Sequence, residues 1–161
     1  MGKTTAKTEN RTIAITREFD APRELVFKAW TDPEHFAQWY GPDGFTVPKC
    51  EMDARPGGAF VIEMKGPDGT LYPIKGVFRE VVEPERLVIT STGTEEDEDG
   101  NPLDEMLNTV TFEEQAGKTK MTLEVEVVRS SMDPAQALAG AQMGWGQSFD
   151  KLAAHLAASG S

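Results

Sequence analysis

Alternating apolar and polar residues identify the first regular element of the chain. Ile13, Ile15 and Phe19 are separated by polar neighbours, and this period of two predicts a β-strand. Two short helices are predicted next, because the stretches from Asp20 to Pro22 and from Asp32 to Pro33 each combine an N-capping side chain with a proline suited to the first helical turn. The chain therefore enters this region as a strand and leaves it as two helices.

The middle of the chain repeats the strand pattern about six times. The predicted strands cover residues 45–52, 60–65, 74–82, 87–91, 108–112 and 119–128. Gly66-Pro67-Asp68-Gly69 is a strong hairpin signal between two of them. In the last strand, Met121, Leu123, Val125 and Val127 alternate with Thr and Glu residues. That alternation predicts an antiparallel sheet with one wet face and one dry face.

The final element has a helical period instead. Asp133 is predicted as an N-cap and Pro134 as the first helical residue. One apolar stripe follows at spacings of seven, four, three and four: Leu138, Trp145, Phe149, Leu152 and Leu156. A helix of roughly 24 residues, about 36 Å long, would cross the whole dry face of the sheet. A strand, two short helices, an antiparallel sheet and a long helix predict an α+β domain.

Length, composition and charge indicate the domain organisation and exclude some classes of partner. The chain has 161 residues, 39% hydrophobic and 27% charged, which fits one globular domain. We predict a single domain over residues 13–157, flanked by a flexible N-terminal tail over 1–12 and a C-terminal tail over 158–161. The net charge of −11 argues against nucleic acid and membrane surfaces as partners. One cysteine and no secretory signal predict a cytoplasmic protein.

No set of residues predicts catalysis or metal binding. His35 and His155, the two histidines, have no metal-ligand spacing, and pairing Cys50 with His35 as a nucleophile lacks any third member. The acidic run Glu95–Gly100 resembles a calcium loop in part. The position that needs a bidentate Glu is Met106, however, so a solvated acidic hairpin loop is the better interpretation. We predict no catalytic residue, no metal and no cofactor.

Several motifs in this order resemble the START-like (SRPBCC) superfamily, and within it the family of activator of heat-shock protein 90 ATPase homologue-like domains. The motifs that carry the resemblance span almost the whole chain: Phe19–Pro33, Trp39–Pro42, Arg55–Gly58, Gly76–Phe78 with Pro84–Leu87, Thr109–Phe112, and Gly144-Trp145 with Leu152. The resemblance implies the helix-grip fold of birch-pollen-allergen-like proteins, in which a curved antiparallel sheet wraps around a long C-terminal helix.

The resemblance also implies a cavity between the sheet and the C-terminal helix, and from it we expect a non-enzymatic domain that binds a small apolar ligand. The residues predicted to contact the ligand are aromatic side chains and adaptable methionines: Trp39, Tyr40, Met52, Phe60, Met64, Phe78, Met121, Trp145 and Phe149. Each of them is also a candidate for plain core packing. Gly140, Gly144 and Gly146 fall in the predicted helix, and either close approach to the sheet or a kink over a cavity would explain them.

Two other functions stay open. The family name implies a co-chaperone-like or stress-response module that binds a chaperone or another protein, which an acidic surface would suit if the partner is basic. Relatives of the fold also include cyclases and hydrolases, so a cavity enzyme is the third hypothesis. The Trp39-Tyr40 region could equally form a dimer surface, so we expect a monomer or a homodimer.

Overall fold

The computed structural model of the chain describes residues 5–9, 11–93, 95–131 and 133–159. These residues form eight β-strands and three α-helices. In chain order they are β1 (Thr5–Glu9), β2 (Thr12–Phe19), α1 (Arg23–Thr31), α2 (Pro33–Trp39), β3 (Thr46–Met52), β4 (Ala59–Lys65), β5 (Leu71–Val82), β6 (Arg86–Thr92), β7 (Glu105–Gln115), β8 (Lys118–Arg129) and α3 (Pro134–Ser159).

The strands form one antiparallel sheet in the order β1-β2-β8-β7-β6-β5-β4-β3. Strands β3 to β8 follow one another as a meander, and β2, which precedes the helices, pairs with β8. On β8, Met121, Leu123 and Val125 face inward and are fully buried, as the alternation predicts. The predicted α+β helix-grip fold, with two short helices after the first predicted strand, is therefore confirmed.

The chain ends differ from the predicted tails. Thr5–Glu9, predicted within the tail over 1–12, form the edge strand β1, which pairs with β2, and β2 itself begins at Thr12. Edge pairing uses only backbone N–H and C=O groups, so this polar segment has no alternation that would predict it. At the other end, α3 extends to Ser159, and the rest of the predicted C-terminal tail lies outside the described residues.

Two of the three predicted helix caps are present. The backbone N–H of Glu34 donates to Asp32 Oδ1 at 2.9 Å, and the N–H of Ala135 donates to Asp133 Oδ1 at 3.1 Å. The prediction of Asp20 as the cap of α1 is wrong. Pro22 is the N-cap residue there, in an extended conformation and without a side-chain cap, so the helix begins one residue after the proline.

The core lies between the dry face of the sheet and the three helices. Helix α3 packs on β2 and β8 and also contacts α1 and α2. Trp30 is at the centre of the aromatic packing, with ring centroids 5.1 Å from Trp39, 5.3 Å from Trp145 and 6.2 Å from Phe149. Across the described residues, no helix has both the length and the apolar composition that a membrane span requires. The two short helices and α3 therefore close one side of the sheet with aromatic side chains.

Candidate functional site

The concave face of the sheet is not completely filled. A cavity, here called the inner chamber, lies between strands β3 to β7 and the aromatic side chains of the three helices. Its volume accessible to the centre of a water molecule is about 40 Å³. Since one water needs roughly 10–15 Å³ of such volume, the chamber has room for about three water molecules. The inner chamber by itself is smaller than an apolar cavity of about 150 Å³, the size that accommodates benzene.

A wider space beside α3, here called the outer cleft, lies next to the inner chamber. The cleft has about 240 Å³ of the same kind of volume. Five residues line both compartments, so the two spaces are adjacent and share a wall: Tyr40, Ile74, Ser91, Asn108 and Trp145. The outer wall is formed partly by Met64, Met106 and Pro42. The candidate site therefore consists of two adjacent compartments, of which the inner chamber is the smaller.

Six of the nine predicted ligand-contacting residues line this site. Five line the inner chamber: Tyr40, Met52, Phe60, Phe78 and Trp145. Met64 lines the outer cleft. Strand alternation and the stripe of α3 turn five of these side chains toward the interior of the fold, and Tyr40 is the C-cap residue of α2.

The other three predicted residues lie in the filled core and do not line either compartment. They are Trp39, Met121 and Phe149, and all three are completely buried. The indole Nε1–H of Trp39 donates to the carbonyl of Ala29 at 3.0 Å, and Met121 Sδ accepts from Trp30 Nε1 at 3.2 Å. Phe149 packs edge-on against Phe19. These contacts hold the three side chains away from the cavity.

The structure adds lining residues that the sequence did not single out. They are mostly apolar, with two polar side chains: Trp30, Phe36, Ile62, Ile74, Ile89, Ser91 and Asn108. Asn108 is the most informative, because only 5% of it is exposed and it faces inward with Val110 and Phe112 on β7. The sequence contained a signal for this residue, because Asn108 occupies a strand position that alternation assigns to the buried face. A polar side chain there requires hydrogen-bond partners.

Tyr40 forms the junction between the inner chamber and the outer cleft. Its ring stacks on Phe36, with centroids 4.7 Å apart, and meets Trp145 edge-on at 5.4 Å. Burial raises the pKa of the Tyr40 hydroxyl to about 12, and the neighbouring Cys50 adds to the rise. The hydroxyl therefore stays protonated at neutral pH and is available as a neutral hydrogen-bonding group.

Cys50 and His35, considered above as a nucleophile pair, have other surroundings in the structure. His35 Nδ1 lies 2.9 Å from His155 Nε2, so His35 bonds to α3 rather than to Cys50. Burial, together with the Asp32 carboxylate, raises the pKa of the Cys50 thiol to about 11, which keeps it in the weakly nucleophilic thiol form. Within the described residues, no three His, Cys, Asp or Glu side chains are grouped as metal ligands.

In the acidic loop between β6 and β7, the carboxylate of Asp97 bonds to other groups of the protein. Asp97 Oδ1 accepts hydrogen bonds from the backbone N–H groups of Asp99 and Asn101, and Asp97 Oδ2 pairs with Arg129 at 3.1 Å. The bond from Asn101 is the main cause that lowers the pKa of the Asp97 carboxyl. These contacts are those of a turn that orders a solvated loop.

Comparisons with known proteins cover nearly the whole chain. A family model described as activator of Hsp90 ATPase homolog 1-like protein matches residues 20–157. Protein Ms6760 from Mycobacterium smegmatis is 29% identical, with 96% of this chain and 97% of that chain covered and a TM-score of 0.80. Protein CV1439 from Chromobacterium violaceum is 31% identical, with 91% and 96% covered and a TM-score of 0.76. No curated protein matches the chain. These similarities assign the family and the fold but name no ligand.

Proposed function

Because the chain belongs to the family of activator of Hsp90 ATPase homolog 1-like proteins, we propose that it is a non-enzymatic domain that binds a small, mostly apolar molecule between the sheet and α3. The observation that carries the proposal is the pair of adjacent compartments, the inner chamber and the outer cleft, which share a wall. Apolar and aromatic side chains dominate both walls, as is typical of small-molecule pockets.

Trp145 gives the site its adaptable wall. This residue is half-buried, lies in both compartments and stacks on Trp30 with an interplanar angle of 25°. An aromatic ligand presents the same kind of ring face as Trp30, so Trp145 can stack on the ligand instead. Displacement or sliding of Trp145 would then enlarge the inner chamber while its stacking contact is kept. Tyr40 is the one ionisable side chain among the described lining residues, and its raised pKa keeps it protonated, so no phenolate base is present at neutral pH.

A ligand screen tests the proposal. The purified protein is mixed with fatty acids, sterols, flavonoids and neutral bicyclic aromatic compounds, and unfolding is followed by tryptophan emission. A ligand at 100 times its Kd stabilises the folded state by about 2.7 kcal/mol, which raises the Tm of a domain of this size by about 5–10 °C. A saturable shift for one chemical class supports the proposal, and a flat screen with a confirmed folded protein would falsify it.

Substitution of Trp145 locates the binding site. We expect Trp145→Ala to weaken the affinity for a ligand found in the screen by at least about tenfold, because the variant loses one wall of both compartments. Trp39→Phe is the matched control, since it removes a core hydrogen bond outside the cavity and is expected to lower the free energy of unfolding by about 1–3 kcal/mol with affinity unchanged. Calorimetric titration and urea unfolding of both variants separate the two effects. A loss of stability alone in Trp145→Ala would place that residue in the core and contradict the site.

The second candidate is a co-chaperone-like domain, and the family description favours it. A net charge of −11 would suit a basic surface on a partner. The test is the ATPase rate of a purified heat-shock protein 90 with and without the chain, together with co-purification. An unchanged rate and no complex would remove this candidate.

A further inference from the structure

Asn108 and Ser91 place two hydrogen-bonding groups in a mostly apolar wall. Asn108 lies on β7 opposite Ile89 on β6, and Ser91 is two residues further along β6 on the same face. Both residues line the inner chamber and the outer cleft. Strand register therefore brings the two polar side chains together at the boundary between the compartments.

The contacts of Asn108 fix the orientation of its amide. Nδ2 donates to Ser91 Oγ at 2.9 Å and to the carbonyl of Ile89 at 3.2 Å. The backbone carbonyl of Ile89 can only accept, so the nitrogen of the amide must be on that side. Oδ1 consequently points away from these partners, and no donor among the described residues forms a hydrogen bond with it.

Ser91 supplies the complementary group. Its Oγ accepts the hydrogen bond from Asn108, which leaves the hydroxyl proton to be donated. Among the described residues, no acceptor forms a hydrogen bond with that proton. Asn108 Oδ1 and the Ser91 hydroxyl thus leave one acceptor and one donor free on two neighbouring residues.

The electrostatic surroundings favour a neutral ligand. Of the described residues that line the two compartments, none is Asp, Glu, Lys, Arg or His, and Tyr40 stays protonated. An ionised carboxylate or ammonium group moved into this site would lose its hydration without gaining an opposite charge. A neutral group that satisfies both Asn108 and Ser91 would not incur that cost.

We propose that the site selects a neutral, planar ring molecule that carries an N–H or O–H donor directly beside an acceptor oxygen, as a lactam edge does. The donor of the ligand bonds to Asn108 Oδ1, its oxygen accepts from the Ser91 hydroxyl, and its ring lies against the aromatic side chains of Tyr40 and Trp145. This inference rests on the proposed function and adds the chemical class of the ligand.

The test compares bicyclic probes of nearly equal size. The probes are 2-quinolone, which has the donor beside the acceptor; 1-methyl-2-quinolone, which lacks the donor; naphthalene, which lacks both; and the anion 2-naphthoate. Dissociation constants are measured by quenching of tryptophan emission and by calorimetry. We expect 2-quinolone to bind about tenfold or more tightly than the other three, since each of them leaves a buried polar group unpaired or buries a charge.

Substitutions assign the preference to the two residues. Asn108→Leu keeps a similar volume, and we expect it to remove the preference for 2-quinolone while naphthalene binds within about threefold of its wild-type affinity. Ser91→Ala is a milder second variant and is expected to reduce the preference in the same direction. Asn101→Leu, at an exposed asparagine of the β6–β7 loop, is the control and should leave all four constants unchanged.

The outcomes separate this inference from the proposed function. Equal affinities for 2-quinolone and its methylated form, tighter binding of 2-naphthoate, or parallel losses for every probe in Asn108→Leu would overturn the ligand class and leave the apolar cavity in place. Absence of binding by all four probes, together with a flat screen, would overturn the proposed function and the inference with it.

Discussion

Gly76 on β5 is a residue whose missing side chain is required by its neighbours. A Cβ atom built there would overlap the backbone carbonyl oxygen of Thr90 and the ring of Phe60, with Phe60 Cζ at 2.6 Å. Phe60 in turn lines the inner chamber. The glycine therefore allows an aromatic ring to lie flat against the backbone of the sheet at the edge of the cavity.

We expect Gly76→Ala to lower the free energy of unfolding by about 1–3 kcal/mol or more, because the backbone of β6 cannot move aside without loss of its pairing. The displaced Phe60 ring should also weaken ligand binding. Urea unfolding measures the stability, and calorimetry measures the affinity. Gly93→Ala is the matched control, since an added Cβ there meets nothing within 4 Å. Equal stabilities of the two variants would contradict the close approach at Gly76.

At the scale of elements, the glycines of α3 have a different explanation from the one that the sequence suggested. An added Cβ at Gly140 or Gly146 meets nothing within 4 Å, and at Gly144 it makes only an ordinary contact with Pro42 at 3.8 Å. Close approach to the sheet is therefore not the reason for these residues. What remains is their low helix propensity, which weakens the helix segment that forms the wall of the outer cleft.

Gly140→Ala is expected to raise the free energy of unfolding by about 1 kcal/mol, because the position is exposed and lies inside a helix. Gly100→Ala is the control: it also has open space, but its φ of +82° strains any side chain, so this variant should be destabilised. Urea unfolding of both variants measures the difference. A destabilised Gly140→Ala would show that the glycine is needed for another contact.

The contact between α2 and α3 includes a pair of histidines. His35 and His155 share a hydrogen bond of 2.9 Å, which requires at least one neutral ring. Burial first, and then the charge of His35, lower the pKa of His155. The unfolded chain therefore binds a proton at His155 more readily than the folded chain does, and this contribution to stability is present above a pH of about 6.5 and is lost as the pH falls toward the lower folded pKa.

We expect the free energy of unfolding of the wild type to decrease between pH 7.5 and 5.5 more steeply than that of His155→Gln. Glutamine keeps hydrogen-bonding groups at this position but does not titrate, so the carboxylates contribute equally in both proteins. Urea unfolding at several pH values gives the two slopes. Identical slopes would mean that the histidine pair does not couple protonation to folding.

At the scale of the whole molecule, charge and cavity have separate consequences. The excess of acidic side chains gives a net charge of −11, and these side chains repel one another across the surface. The described residues that line the cavity include no formally charged side chain. At 0.1 M salt, interactions between surface charges more than about 10 Å apart are largely screened. The binding of a neutral ligand in an apolar site is little affected by salt. The two proposed functions therefore respond differently to ionic strength.

Raising NaCl from about 20 to 200 mM should increase the Tm through weaker self-repulsion and change the Kd of a neutral ligand by less than about twofold. Binding to a basic protein partner should instead weaken strongly over the same range. Thermal unfolding and calorimetric titration at both salt concentrations give these values. A small-molecule Kd that rises several-fold with salt would indicate a charged ligand and contradict the neutral site.

Much of the fold could be predicted because its signals are local. Alternation along β8 and the stripe of α3 each arise within one segment, and the capping roles of Asp32 and Asp133 depend on their immediate neighbours. The strand Thr5–Glu9 was missed because its pairing depends on the backbone of β2 rather than on its own side chains. Local patterns therefore predict only those helices and strands whose own residues carry a periodic or capping signal.

The candidate site was only partly predictable for a related reason. Trp39 and Trp145 are both aromatic residues on helices, yet packing against Ala29 and Trp30 buries the first and leaves the second at the cavity. Asn108 and Ser91 become one polar pair only through the register of β6 with β7. Sequence by itself determined the order of the elements, their apolar faces and the family, because these follow from short-range periods and motifs. Tertiary structure decided which aromatic rings fill the core, where space remains and which polar atoms face it, because those properties depend on contacts between segments far apart in the chain.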